Sequence, residues 1–354
     1  MLNTTGTDNT ACGTNALDAN TTGGNNVAIG YEALGANTTG EHNVAVGSYA
    51  LDANNGNNNV AMAVHALGAN TTGDNNIAVG QDALRYNTTG SHNTAIGFDA
   101  LKDATTASNN TAVGKAAMQN ITTGDLNVAI GVGAMGAATE ADRNVAVGKD
   151  ALGAYTATGD TYTVAIGFNA MGASTTASNS PAVGGLALAS NTTGGSNTAV
   201  GYQALDANTT ADYNTALGYY ALRANTTGTQ NTAVGYKALE ANTDQSSNTA
   251  VGYEALKSAT AANNNTAIGR KALSLNVGAD RNVAVGDYAL YNLNHATADT
   301  YNVAVGNNAL YETTTGDQNV AVGYDALKEN TTGAVSNAFG AYALDANTSG
   351  TYNC

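Results

Sequence analysis

Histidines, cysteines and paired carboxylates are the residues that could hold a metal, attack a substrate or move a proton, and their spacing limits what this chain can do. The histidines are His42, His65, His92 and His295. His42 and His92 share a register in a repeat but stand three repeats apart. At roughly 4.8 Å per stacked strand that is about 14 Å, too far to share one ion within a chain. Three copies of one histidine could meet on the axis of a trimer, but a loop position does not favour it, and the four are read as solvent-exposed. Glu140 and Asp142 form a carboxylate pair with no nucleophile or histidine nearby. Calcium-binding rolls need Asp at fixed places, whereas Asp18, Asp74, Asp99, Asp150 and Asp212 wander through the repeat. No catalytic, cofactor-binding or metal residue is assigned, no cofactor is expected, and the chain is not read as an enzyme.

Two cysteines stand at opposite ends, Cys12 and Cys354, too few for a disulfide framework. Cys12 falls on an apolar slot of its repeat and is read as filling the core, with Cys354 incidental; the alternative is a disulfide between subunits in a head-to-tail filament. Asn-Thr-Thr recurs as at Asn37, Asn70 and Asn225, which is a glycosylation pattern that a turn also explains. The recurrent glycines belong to turns, not to a phosphate cradle.

These residues are positioned by one repeat. Aligned on its opening residue, it starts at Asn9, Asn26, Asn43, Asn59, Asn76, Asn93, Asn110, Asn127, Asn144, Thr163, Ser180, Asn197, Asn214, Asn231, Asn248, Asn265, Asn282, Asn302, Asn319 and Ser336. The step is seventeen except for 16 (Asn43 to Asn59), 19 (Asn144 to Thr163) and 20 (Asn282 to Asn302). The extra residues, around Ala154–Tyr162 and Asn294–Tyr301, are expected to be surface loops.

The third and eighth positions are Ala in every copy, as at Ala28, Ala33, Ala199 and Ala204. The fourth is apolar (Ile29, Val200) and the ninth Leu or Met (Leu34, Leu205); these two are expected to supply the core. Gly30 and Gly201 hold the fifth position. Charge is absent from positions one to five and eight to nine, which predicts a dry side and a wet rim.

The opening residues alternate β-branched with small side chains at period two and read as a strand. Neither of its faces is polar, so a parallel sheet covered on both sides is expected, the outer cover being further copies of the same chain. Asn at position one is expected to form a ladder up the stack. The Tyr-x-Ala-Leu-x-Ala-Asn stretch is either a second strand or one helical turn. Asn-Thr-Thr-Gly closes the coil, with its Gly expected at positive φ. The chain is thus read as all-β: one continuous parallel β-solenoid over residues 1–354, about twenty coils and on the order of 95 Å long, cut mid-repeat at both ends.

With 12 Lys and Arg against 27 Asp and Glu, the formal charge is −15, which disfavours nucleic acid and anionic membranes. No apolar run reaches membrane-spanning length, and no secretory signal is visible at the start, so no membrane insertion is expected.

The strings Asn197–Tyr202 and Asn231–Tyr236 (Asn-Thr-Ala-Val-Gly-Tyr), with Ala33–Gly40 and Ala221–Gly228 (Ala-Leu-x-Ala-Asn-Thr-Thr-Gly), resemble repeats of bacteriophage tail fibres and bacterial surface fibres that often end in an endosialidase-type chaperone domain. With a longer coil they also resemble head repeats of YadA-type trimeric autotransporter adhesins. The resemblance covers essentially the whole chain, but includes no chaperone domain, coiled-coil stalk or anchor. It implies a homotrimeric, left-handed β-roll on a virion or cell surface, serving as a shaft or adhesive head that meets a receptor or glycan. A self-assembling head-to-tail filament is the alternative. An ice-binding solenoid is weighed third, because the Thr pair is adjacent in a turn and not alternating on a strand.

Overall fold

The computed structural model describes residues 3–295 and 298–354. They form two compact units, divided after Ser178, and each is a parallel β-solenoid with no helix among its described residues. Each unit carries ten short principal strands, from Thr10–Cys12 to Val164–Ile166 in the first and from Ala182–Val183 to Asn337–Phe339 in the second. The pairing sets each strand directly over the equivalent residues of the next: Val27 over Val44, Ala28 over Ala45 and Ile29 over Val46, and likewise Thr232, Ala233 and Val234 over Thr249, Ala250 and Val251. Within each unit the coils therefore stack on their neighbours in strict register, and those that depart from seventeen residues keep it: Val44 still pairs with Val60, Val145 with Val164, and Val283 with Val303.

The interior is narrow. Ala28, Ala33, Ala199 and Ala204 are fully buried, and so are Leu34 and Leu205. Each ninth-position Leu contributes about 1.5–3 kcal/mol of burial, while alanine at positions three and eight lets the walls of the coil approach each other. The fourth position is different. Ile29 is 41% exposed and Val200 half-buried, so their side chains lie on the outside of the sheet and not in the core expected for them. Because alternate strand residues face opposite ways, placing alanine inside puts Val and Ile outside.

Tyr-x-Ala-Leu-x-Ala-Asn is neither strand nor helix. It is a run of turns in which the seventh and ninth residues take left-handed φ, as Glu32 and Leu34 do at 52°. A leucine at positive φ is unfavourable by about 1–2 kcal/mol, and its complete burial offsets this. Within the run, Ala33 and Asn37 donate to carbonyls three residues back, while Leu34 and Ala36 donate to the next coil.

Positive φ falls at the fifth-position glycines, not at the closing glycine of Asn-Thr-Thr-Gly where it was expected. Gly235 has φ 133°, and a Cβ there would lie 2.4 Å from the Gly252 carbonyl oxygen.

The longer coils do place exposed residues at the surface, as at Thr156, Thr158 and Tyr162, but parts of their extra segments are built into the coil. Tyr155 is fully buried in the slot usually held by Asn, its hydroxyl donating to the Ala177 carbonyl at 2.9 Å. Gly159–Asp160 pairs with Ala141–Asp142, and Ala298–Asp299 with Ala279–Asp280. Residues 296 and 297 of the second expected loop lie outside the described residues.

Candidate functional site

Polar ladders hold the coils in register and so determine what the outer surfaces present. Asn26 Oδ1 accepts the Asn43 backbone N–H at 2.9 Å, and Asn26 Nδ2 donates to the Gly40 carbonyl at 2.9 Å. Asn231 repeats this with the Asn248 N–H (3.0 Å) and the Gln245 carbonyl (2.8 Å). Position twelve forms a second ladder, in which Asn37 donates to Asn20 at 3.0 Å and Asn242 to Asn225 at 2.8 Å. The first Thr of Asn-Thr-Thr-Gly adds another rung, as Thr21 does to the Thr38 carbonyl at 3.0 Å. These bonds satisfy amides that would otherwise be buried at a cost of about 1–3 kcal/mol each.

The same burial bears on the glycosylation pattern. Asn37, Asn70 and Asn225 are fully buried with their amide nitrogens hydrogen-bonded, so in the folded chain they are closed to modification. The second ladder breaks where Asn is replaced and at the sixteen-residue coil: Asn87 and Asn242 face coils carrying Ala104 and Ala259 at this slot, Asn54 turns its amide to the Gly56 carbonyl and away from Asn37, and the Oδ1 atoms of Asn37, Asn87 and Asn242 have no partner.

The residues considered first for chemistry remain apart. His42 and His92 are exposed at corners of left-handed backbone, with φ 59° and 61°. His65 is half-buried and stacks on Tyr49 at 5.0 Å, and His295 is also half-buried, so neither fits the fully exposed placement expected for all four. Glu140 is exposed, whereas Asp142 Oδ1 accepts the Asp125 N–H at 2.6 Å as a structural rung. Asp74 and Asp212 act likewise on Asn57 and Gly195. Among the described residues, no group of three His, Cys, Asp or Glu is placed to hold a metal, and no helix is long and apolar enough to cross a membrane. Cys12 lies exposed on the outer sheet face instead of in the core expected for it; Cys354 is exposed too, and both thiols are free.

What remains is the outer face of each sheet, built from positions two, four and six. In the first unit it carries Val27, Val44 and Val60 beside Ile29, Val46 and Met62, with exposures of 37–42% for the latter three. In the second unit position two changes: Thr198, Thr215, Thr232, Thr249 and Thr266 follow one another in register beside Val200, Leu217, Val234, Val251 and Ile268. This outward Thr row lies on strands, a feature that attention to the turn threonines missed; the TAV and TAL strings held the signal.

Position six borders the face with tyrosines. Tyr202, Tyr219, Tyr236 and Tyr253 form a stack with ring centroids 5.1–5.5 Å apart. The hydrogen bond with Tyr220 pushes the Tyr219 phenol up to about 12, and Glu32 does the same to Tyr31. Monomeric soluble proteins rarely expose so continuous an apolar strip.

No family model matches the chain, and no curated protein matches it.

Proposed function

We propose that this chain is a structural fibre segment, a rigid shaft or adhesin-head piece of a bacterial surface fibre or phage tail fibre, and that it works as a homotrimer outside the cell. The observation that carries this reading is the bare fourth-position row: Ile29 and Leu217 are 41% and 46% exposed on principal strands that carry no charged residue and whose inner face is already sealed. A coil that closes its interior with Ala and Leu has no folding need for Val and Ile outside, so the row fits a surface to be covered by further copies. Handedness and copy number belong to this proposal, as does the absence of catalysis. A cell-surface receptor or glycan would be met by the variable residues of the rim, and neither nucleic acid nor membrane insertion is involved.

Sedimentation equilibrium of the purified chain tests it. A mass of three chains is expected, and a monomer at micromolar concentration would remove its basis. Two other readings have observations of their own. The free, exposed Cys12 and Cys354 suit a head-to-tail filament, which would show as disulfide-linked ladders in non-reducing electrophoresis and as long fibres in electron micrographs. The Thr198–Thr266 row suits an ice-binding face, for which a monomer with measurable thermal hysteresis is the signature.

A further inference from the structure

On a different surface from the outer sheet, the seventh, tenth and eleventh residues of successive coils border a shallow furrow, and clefts recur along it within each unit. One of them, in the second unit, encloses about 390 Å³ and is lined by Tyr288, Tyr291, Asn308, Tyr311 and Lys328. Its tyrosines are not required by the coil. The tenth position is Tyr only at Tyr291 and Tyr311, in adjacent coils; elsewhere it is small, polar or charged, as at Ser274, Lys257 and Gly172.

The three rings form an ordered cluster. Tyr291 and Tyr311 stack at 5.3 Å, and Tyr288 meets them edge-on at 5.1 and 5.9 Å. Arg270 lies over the Tyr288 ring at 4.7 Å, whereas among the described residues no cation lies over that of Tyr311. One face of Tyr311 is stacked on Tyr291, and the cleft is bordered by Tyr311 and, on the next coil, Lys328. The polar side of the cleft is held from beneath. Asp325, with a side chain only 8% exposed, accepts from Asn308 Nδ2 at 2.8 Å and from Lys328 Nζ at 3.2 Å. This orients the Asn308 amide and neutralises the ammonium charge.

We propose that this cleft binds a neutral pyranose unit of a glycan. A pyranose has an apolar C–H face and a rim of hydroxyls. A tyrosine ring suits the first, and Asn308, Lys328 and the phenol hydroxyls supply donors and acceptors for the second. The volume falls within the usual range of small-ligand sites, about 300–1,000 Å³. A polyanionic ligand is disfavoured by the charge of −15 and by the pairing of Lys328 with Asp325. The proposal deepens the adhesive-fibre reading by naming a ligand class and rests on that reading for its biological setting. It fails separately, because the cleft is not on the sheet face whose covering the mass measurement reports.

Saturation-transfer NMR of the full chain with methyl β-glucopyranoside, methyl β-galactopyranoside, methyl α-mannopyranoside and N-acetylglucosamine, each at millimolar concentration, tests the cleft. At least one sugar is expected to receive saturation through its C–H face. That signal should fall to background in the double variant Tyr291→Ser, Tyr311→Ser, in which each side chain becomes the one that Ser274 already shows the coil accepts. Asn308→Ala, which leaves the rings in place, should weaken the signal without abolishing it. Absence of saturation for all four sugars overturns the proposal, as does a signal that neither variant changes.

Discussion

Ala233 and Val234 are adjacent residues of one strand, stacked in ladders of the same pitch, yet the third-position row is sealed and the fourth-position row is not. Both rows are apolar, so hydropathy does not separate them; size does. The inner wall faces the opposite side of its own coil at close range, where only alanine and the ninth-position leucine fit. The outer wall faces open space and can carry larger side chains. An apolar ladder inside a solenoid is thus a folding device, while the same ladder outside is a surface for a partner. The difference can be broken from either side.

The largest effect is expected inside. Leu239→Asp places an unpaired charge in a fully buried slot and should cost at least about 4 kcal/mol in chemical denaturation. Gly235→Ala should cost about 1–3 kcal/mol through its positive φ and the nearby Gly252 carbonyl, read as a lowered melting temperature. Asn231→Ala leaves the Asn248 N–H unpaired and removes one of the two donors to the Gln245 carbonyl, which Asn242 Nδ2 still reaches at 3.1 Å; it should cost about 1–3 kcal/mol, with faster amide exchange confined to the neighbouring coils.

Outside, the same chemistry should act on assembly instead of folding. Val200→Asp with Val234→Asp, two coils apart so that the new charges are not paired, should leave the circular dichroism of the coil intact and change the stability of the single chain by no more than about 0.5 kcal/mol per site, while the sedimenting mass falls toward one chain. A double variant that unfolds would mean that the outer row belongs to the fold, and the contrast between the rows would be lost.

The smallest expected effect concerns the rim. Burial raises the Asp206 carboxyl above its ordinary range, partly opposed by the Gln203 hydrogen bond and by Arg223. A raised folded value means the folded chain holds the proton more tightly than the unfolded one. Ionised Asp206 is therefore unfavourable at neutral pH, and the penalty fades as pH falls into the carboxylate range. Asp206→Asn should melt slightly higher than the native chain at neutral pH, with the difference vanishing under acid conditions. A difference that grows with acid would reverse the assignment.

Much of this was legible in the residues. The seventeen-residue period, the parallel register, the invariant inner alanines, the buried Leu34 and Leu205 and the Asn26–Asn43 ladder all follow from what recurs and what never varies. Position-specific chemistry repeated down a stack leaves a periodic trace that a single chain displays. Less legible were the cases where one position serves an unusual purpose. Tyr155 replaces a ladder Asn and fills its slot with a ring, although length alone suggested a loop. The left-handed leucines are invisible to propensity, because tertiary burial overrides a local cost.

By itself the sequence determined that the coils repeat, where they align, and that one strand has two apolar faces. Alternation states that Ala28 and Ile29 point opposite ways, but it carries no information about which of the two points inward. Only the tertiary structure decided that, because the choice depends on the distance across the coil: the path of the left-handed turns brings the walls close enough to admit alanine and leaves Val and Ile on the outside.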